Sequence, residues 1–530
     1  MFAEFRNEPF TDFADTGNRR AFEAALARIR GRLPLEGRLF LDGKWTAAPS
    51  TFESRNPSRK DEVIGRFAKG TRADALHAVD AAARAFGAWR NAPVADRCAL
   101  LARIAAILRE RKHEFSAMMS LEAGKSWPEA DGDTAEAIDF CEFYAREMWR
   151  LSQPQPLTPV AGERGALEFL PLGVAAIIPP WNFPLAILAG MTTAALVSGN
   201  TVVLKPASDT AGIATMFVEA AIEAGVPAGV LNFVSGPGAE VGDALVESPK
   251  VRLIAFTGSK AVGLEINEKA ARVPKGQIWI KRAILEMGGK DFILVDETAD
   301  LESAASGVVS AAFGFQGQKC SACSRLIVVD SVHDALVEKV VAKTKALKVG
   351  PAWEPETNVG PVINAGAQKK ILEYVEIGKK EGKLLAGGSR GEESGYFVEP
   401  TVIDEVKPDA RIAREEIFGP VLAIIRAKDF DDGVALANDT EYGLTGALYS
   451  RDPRRIARGK RELFCGNLYI NRKCTGALVG AHPFGGFNMS GTDSKAGGRE
   501  YLYLFTQAKA IAEKIDETAP ETEGEKSEGF

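Results

Sequence analysis

From about residue 171 onward, short apolar, β-branched runs alternate with stretches of three- and four-residue apolar spacing. The runs are "GVAAII" (173–178), "TVVL" (201–204), "VLNFV" (230–234) and "LIAF" (253–256), and each interval is long enough for a crossover helix. That rhythm predicts βαβ units in a parallel sheet buried on both faces. A second series starts near Phe292: "FILV", a helix around 301–313, "RLIVV", a helix from Ser331, then "VLAII", "LTGALYS" and "NLYI" with helices between them. The class is therefore α/β, with two lobes and a boundary near residue 284.

Upstream, "TRADALHAVDAAARAFGAWR", "DRCALLARIAAILRERKHEFSAMMSLEAGKS" and "DTAEAIDFCEFYAREMWRLS" have the spacing of amphipathic helices. A basic run, "RRAFEAALARIRGRL", makes residues 1–35 an arm packed on the body. "TPVAGERGALEFLPL" (158–172), turning at Gly162, reads as a hairpin, and "YLYLFTQAKAIA" as a strand. The expected organisation is an arm (1–35), a first lobe (36–157 and 172–284), a second lobe (285–488) and a small β flap (158–171 and 489–512). The acidic tail (513–530) is too poor in apolar residues to order itself. "GVAAIIPPWNFPLAILAGMTTAALVSG" is apolar enough to imitate a membrane span. Pro179, Pro180 and Pro184 with Asn182 divide it into strand, loop and helix instead.

Composition adds bounds rather than detail. The chain has 530 residues, too many for one core, and its 46% hydrophobic and 26% charged content is that of a soluble globular protein. A formal net charge of -6 argues against nucleic acid or an anionic membrane as partner. Six cysteines (98, 141, 320, 323, 465 and 474) do not make a disulfide framework. The opening "MFAEFRNEPF" has no apolar stretch of the kind a secretory signal needs, so a reducing cytoplasm is the expected location.

Chemistry concentrates where strands end. In "FGFQGQKCSACSRLIVV", Cys320 and Cys323 suit half a metal site, a redox pair, or a nucleophile with a bystander. No second CxxC and no nearby histidine completes a zinc site, and a thioredoxin-like pair belongs early in a small domain, so no metal is expected. "LIAFTGSKAVG" is a strand, a turn at Thr257, Gly258 and Ser259, and a helix start with Gly263, an arrangement that favours a phosphate or a plain chain reversal. "GPGAEVG", with Gly238, offers a weaker version. "VVLKPASDT" puts Lys205 and Ser208 after a strand, where a lone lysine is more often simply solvated. "AILEMGGKD" sets Glu286 between Leu285 and Met287, either a desolvated general base or an exposed strand-end carboxylate. "PPWNFPL" holds Asn182 in a rigid loop, suited to an oxyanion or to ordinary turn chemistry.

Taken in order, "PWNFPL", "LKPAS", "FTGS", "LEMGGK", "GQKCSACSR" and "EEIFGPV" make the chain resemble the aldehyde dehydrogenase superfamily over nearly its whole length. "GQIWIKRAILEMGGKD", "NRKCTGALVG" and "HPFGGFNMSGTDSKAGG" resemble its monofunctional bacterial branch that oxidises L-glutamate γ-semialdehyde in proline breakdown. The resemblance covers roughly residues 5–512. It implies two doubly wound lobes, a Rossmann-like cofactor domain and a catalytic domain, with a β oligomerisation flap.

The resemblance further implies Cys320 as nucleophile, with Cys323 one helical turn away as packing, and a thiolate favoured by a helix N-terminus and bound cofactor. Asn182 would hold the oxyanion and Glu286 would activate water. Pro180, Trp181, Lys205, Ser208, Gly238, Thr257, Gly258, Ser259, Gly263, Glu416 and Phe418 would bind NAD. Serine at 208, where many relatives carry glutamate, removes a repulsion of a 2′-phosphate and so implies tolerance of NADP. Ser321, Gly476 and Ala477 would anchor the substrate carboxylate, Phe183 and Phe484 would flank its stem, and Glu136 would meet its ammonium. The implied partners are a small-molecule substrate, further copies of the chain, and transiently a proline dehydrogenase. A dehydrogenase of another carboxylated aldehyde, such as succinate semialdehyde, and a catalytically silent protein on this fold are the competing readings.

Overall fold

In the strand Val174–Ile178, Ala175 and Ile177 join one apolar core while Val174 and Ala176 join another, so both faces of its sheet are covered. The same alternation holds in Asp291–Val295, where Ile293 and Val295 face one layer and Phe292 and Leu294 the opposite one. Near-continuous apolar runs are what two buried faces require. The computed structural model describes residues 3–515. Two seven-stranded sheets dominate it.

The first sheet runs, from one edge, Arg282–Glu286, Val251–Thr257, Val174–Ile178, Thr201–Leu204 and Leu231–Phe233, all parallel. Leu39–Leu41 and Lys44–Thr46 extend it antiparallel. The chain winds outward from Val174–Ile178 through the strands at 201 and 231, then returns to its other side with those at 251 and 282. The order thus reverses between Val174–Ile178 and Val251–Thr257, where a crevice opens at the strands' carboxyl ends. The second sheet runs Lys383–Ala386, Thr401–Asp404, Val421–Ala427, Cys323–Val329, Asp291–Val295, Thr445–Tyr449 and Asn467–Ile470, parallel except for the first.

One connection fixes how the sheets meet. Only Met287–Lys290 separate the last strand of the first sheet from Asp291, which starts a strand of the second. The carboxyl edge of one sheet therefore faces the amino edge of the other, and the site lies between them.

Several expectations change. Residues 158–172 do not fold back on themselves; the strand Glu163–Pro171 pairs antiparallel with Thr506–Lys514. That strand continues through Lys514, into the stretch read as a tail, while residues 501–505 form a tight helical turn rather than strand. The rest of the tail, 516–530, lies outside the described residues. Strands Arg282–Glu286, Lys383–Ala386 and Thr401–Asp404 go beyond the predicted runs. The N-terminal segment forms the helix Thr16–Arg30, capped by Asp15, which buries Phe22, Ala25, Leu26 and Ile29. The apolar stretch after Gly173 is a strand, a loop and the helix Ala186–Val197, and among the described residues no helix is long and apolar enough to cross a membrane.

Candidate active site

Two glycines let the crossing segment pass through the site. A Cβ on Gly288 would lie 2.3 Å from a Glu416 carboxylate oxygen, and one on Gly289 would lie 2.6 Å from the Cys320 carbonyl oxygen. Only glycine permits both approaches. The Gly289 N–H donates to Glu416 Oε1 at 3.1 Å, which fixes that carboxylate at the cleft wall. Burial raises the Glu416 pKa above the usual carboxylate range.

Cys320 occupies a turn between the residues after the helix Leu301–Phe313 and the strand Cys323–Val329. The approach is unusual: Phe315, Gln316 and Gly317 take φ of 47°, 58° and 65° in succession. Two non-glycine residues in the left-handed region persist only when their surroundings fix them. Gln316, fully buried, donates to the Gly124 and Pro361 carbonyls at 3.0 and 2.7 Å. A Cβ on Gly317 would lie 2.3 Å from the Gly419 carbonyl.

This geometry overturns two expectations. Cys323 is not one helical turn from Cys320; it opens the strand, buried, with its thiol against the Arg325 carbonyl. No helix N-terminus favours a Cys320 thiolate either. Burial pushes the thiol pKa well up, and the Asp291, Glu286 and Glu416 carboxylates add to it, with the Ser321 N–H opposing. Cys320 nonetheless retains some exposure at the cleft wall. It is a reachable thiol whose ionisation the surroundings oppose.

Asn182 shares the cavity wall with Cys320, and the Glu286 carboxylate, not itself on that wall, is near enough to act electrostatically on the thiol. Asn182 Nδ2 donates to the Gln318 carbonyl at 3.0 Å, which uses one of its two N–H bonds and leaves the other free. Glu286 ends the strand Arg282–Glu286, buried, and its Oε1 accepts from the Ser494 hydroxyl. Burial raises its pKa to about 7, although the Ser494 contacts pull the other way. Its Oε2 is buried without a partner. Ser494 carries no local sequence signal; it arrives because Gly491 bridges to Glu286 from 205 positions along the chain.

The crevice at the strand-order reversal is a cavity of about 520 Å3. Pro180, Trp181, Lys205, Gly238, Thr257, Gly258, Ser259, Glu416 and Phe418 line it together with Asn182 and Cys320. Ser259 caps the helix Lys260–Ala271, accepting from the Val262 N–H. Phe418, at φ 60°, sets its ring edge-on to Trp181 at 5.5 Å. Lys205 is buried with its pKa lowered to about 8 by desolvation, and its ammonium donates to the Pro206 carbonyl, leaving two donors. Ser208 and Gly263 are not on the cavity wall: Ala207 takes the place beside Lys205, and Ser208 is exposed. A Cβ on Gly263 would strike Met287 Sδ at 2.5 Å, so this glycine serves helix packing. Ala239, Gly242, Met287, Gly288 and Lys370 are among the further wall residues that had not been singled out in the sequence.

Phe183, Ser321, Gly476, Ala477, Phe484 and Glu136 lie outside that cavity. Ser321 and the 476–477 loop are joined where Cys474 Sγ contacts the Ser321 carbonyl at 3.4 Å. Phe484 pairs with Ala496, close to the Ser494 that holds Glu286. Burial and the neighbouring Asp133 and Asp139 carboxylates raise the Glu136 pKa to about 8. Among the described residues no group of three or more His, Cys, Asp or Glu could hold a metal ion.

The profile of the aldehyde dehydrogenase family matches residues 45–511. A 1-pyrroline-5-carboxylate dehydrogenase of Geobacillus thermodenitrificans is 54% identical over 513 residues, covering 97% of this chain and 100% of its own. The 1-pyrroline-5-carboxylate dehydrogenase from Thermus with bound NAD superposes with a TM-score of 0.96 at 49% identity, over 97% of this chain and 100% of that one. Proline utilization A from Bdellovibrio bacteriovorus gives a TM-score of 0.95 at 45% identity, over 96% of this chain and 53% of that larger chain.

Proposed function

The chain belongs to the aldehyde dehydrogenase family, and on that premise we infer that it oxidises L-glutamate γ-semialdehyde, the open form of Δ1-pyrroline-5-carboxylate, to L-glutamate with NAD. The observation that carries the reading is a reachable cysteine sharing a cavity wall with a side-chain amide that has a free N–H, and acted on electrostatically by a buried carboxylate whose pKa is about 7. The cavity suits a dinucleotide: a capped helix start at Ser259, a buried lysine with spare donors, and a fixed carboxylate at Glu416.

Cys320 Sγ bonds to the aldehyde carbon, and Asn182 Nδ2 with the Cys320 N–H receives the oxygen that becomes negative. The thiol proton must leave as that bond forms. Glu286, with a free oxygen and a pKa near neutrality, is suited to take it. NAD supplies the hydride acceptor and, through its positive ring, an electrostatic bias towards the thiolate. Once Glu286 has released that proton to solvent, it draws another from water, whose oxygen adds to the acyl carbon as the Cys320 thiolate leaves, freeing the carboxylic acid.

Ser321 with the Gly476 and Ala477 amides is assigned to the substrate's α-carboxylate, Glu136 to its ammonium, and Phe183 and Phe484 to its stem. Ser321 is buried directly after the nucleophile, and Gly476 takes a φ of +79°, a left-handed conformation that favours glycine, which supports the assignment. Homo-oligomers are assigned too: the Glu163–Pro171 and Thr506–Lys514 ribbon is largely exposed, and its outer edges need covering. Six free thiols support a reducing cytoplasm, and a transient contact with a proline-oxidising enzyme fits the larger chain matched over half its length. Assaying NADH formation with pyrroline-5-carboxylate and with succinate semialdehyde tests the substrate. A higher kcat/KM for the former is expected, and the reverse order would favour the other carboxylated aldehyde.

A further inference from the structure

We propose that the buried Lys125–Asp133 ion pair is a positioning element that holds the Asn182–Phe183 loop against the nucleophile's turn. Both side chains are fully inaccessible, and Lys125 Nζ lies 2.8 Å from Asp133 Oδ2. The ammonium also sits 3.9 Å above the Phe183 ring and 4.4 Å from the Phe315 ring, and so touches one aromatic residue from each side of the site. Phe183 follows Asn182 directly, and Phe315 begins the left-handed turn that leads to Cys320.

The other end of the pair is anchored as well. Asp133 Oδ1 accepts from the Ala186 N–H at 2.6 Å, at the first residue of the helix that follows the Asn182 loop. Gly124, just before Lys125, accepts from Gln316 at 3.0 Å, inside the turn itself. One short segment, Gly124–Lys125, thereby connects the oxyanion loop, its helix and the nucleophile turn. Desolvated cation–π contacts are among the stronger ones. They also set the planes of both rings, and through them the spacing between Asn182 Nδ2 and Cys320 Sγ. A mere counter-ion to Asp133 would need neither ring.

The proposal rests on the aldehyde-oxidising reading, so wild-type NADH formation is measured alongside; its absence would fail that reading rather than this one. Lys125→Met strands Asp133 as an unpaired buried charge, whereas Lys125→Met with Asp133→Asn removes both charges together. Thermal unfolding, kcat and the KM for NAD are measured for each. The double variant should unfold near the wild-type temperature, keep its KM for NAD, and still lose roughly tenfold to a hundredfold in kcat, as slight misplacement of reacting groups does. Phe315→Leu, which leaves the ion pair intact, should lower kcat several-fold with little change in unfolding temperature. Recovery of wild-type kcat in the double variant, or wild-type kcat in Phe315→Leu, would overturn the proposal.

Discussion

Replacing Ser494 by alanine should move the pH profile of turnover to higher pH. The Ser494 hydroxyl donates to Glu286 Oε1, and a bond to the ionised form favours that form. Burial alone sets the carboxylate's pKa high, and the Ser494 contacts bring it down to about 7. A hydrogen bond to a charged group contributes roughly 1.5–3 kcal/mol, or about 1–2 pH units at ~1.4 kcal/mol per unit. The Ser494 backbone also stabilises the carboxylate and survives the substitution, so the lower end, ~1 unit, is expected. At pH 7 the ionised fraction then drops from about a half to about a tenth, and kcat falls ~5-fold. Near pH 9.5 both enzymes ionise Glu286 almost fully and the difference should vanish. Initial rates at saturating aldehyde and NAD between pH 5.5 and 9.5 measure the shift. A profile that stays in place, moves to lower pH, or falls equally at every pH would refute Glu286 as the base held by Ser494.

Gly288→Ala should raise the KM for NAD at least tenfold, about 1.4 kcal/mol, because the new methyl would lie within 2.3–2.5 Å of the Glu416 carboxylate and displace it; initial rates at varied NAD would show it. Cys323→Ala should retain activity while Cys320→Ala retains none, since the Cys323 thiol packs against the Arg325 carbonyl at the start of its strand; steady-state assays compare them. NAD and NADP should give kcat/KM values within about tenfold, ~1.4 kcal/mol, because Ser208 is exposed and places no carboxylate near a 2′-phosphate. A far larger preference would break that argument.

Most parallel strands of both sheets were legible because burial on two faces demands apolar runs, and "GVAAII" and "FILV" supply them, whereas Arg282–Glu286 and Thr401–Asp404 were missed. The hairpin at 158–172 was misread for a physical reason. Periodicity reveals that Glu163–Pro171 is extended, but its partner Thr506–Lys514 lies more than 300 residues away and carries no mark of the pairing. The motif residues around Cys320 were visible, whereas the backbone there was not. Its left-handed turn is held by carbonyls of Gly124 and Pro361, so the CxxC spacing imitated a helical turn. The helix N-terminus expected at the thiol was misread on the same ground, and the burial and three carboxylates that oppose its ionisation come from segments distant in the chain. Lys125 escaped notice since a lysine at the end of an amphipathic helix is ordinarily solvated; only the fold makes it fully buried.

The central claim is that acyl transfer passes through the Cys320 sulfur. Protein quenched with acid during turnover on glutamate γ-semialdehyde and NAD, best in the Glu286→Gln variant, where attack by water is slowed while the thiol can still lose its proton to solvent at raised pH, can be digested and sequenced by mass spectrometry. The account predicts a glutamyl adduct on the peptide bearing Cys320, at that residue, with Cys323 unmodified. An adduct on Cys323 or any other residue, or turnover with no covalent species in that variant, would contradict it.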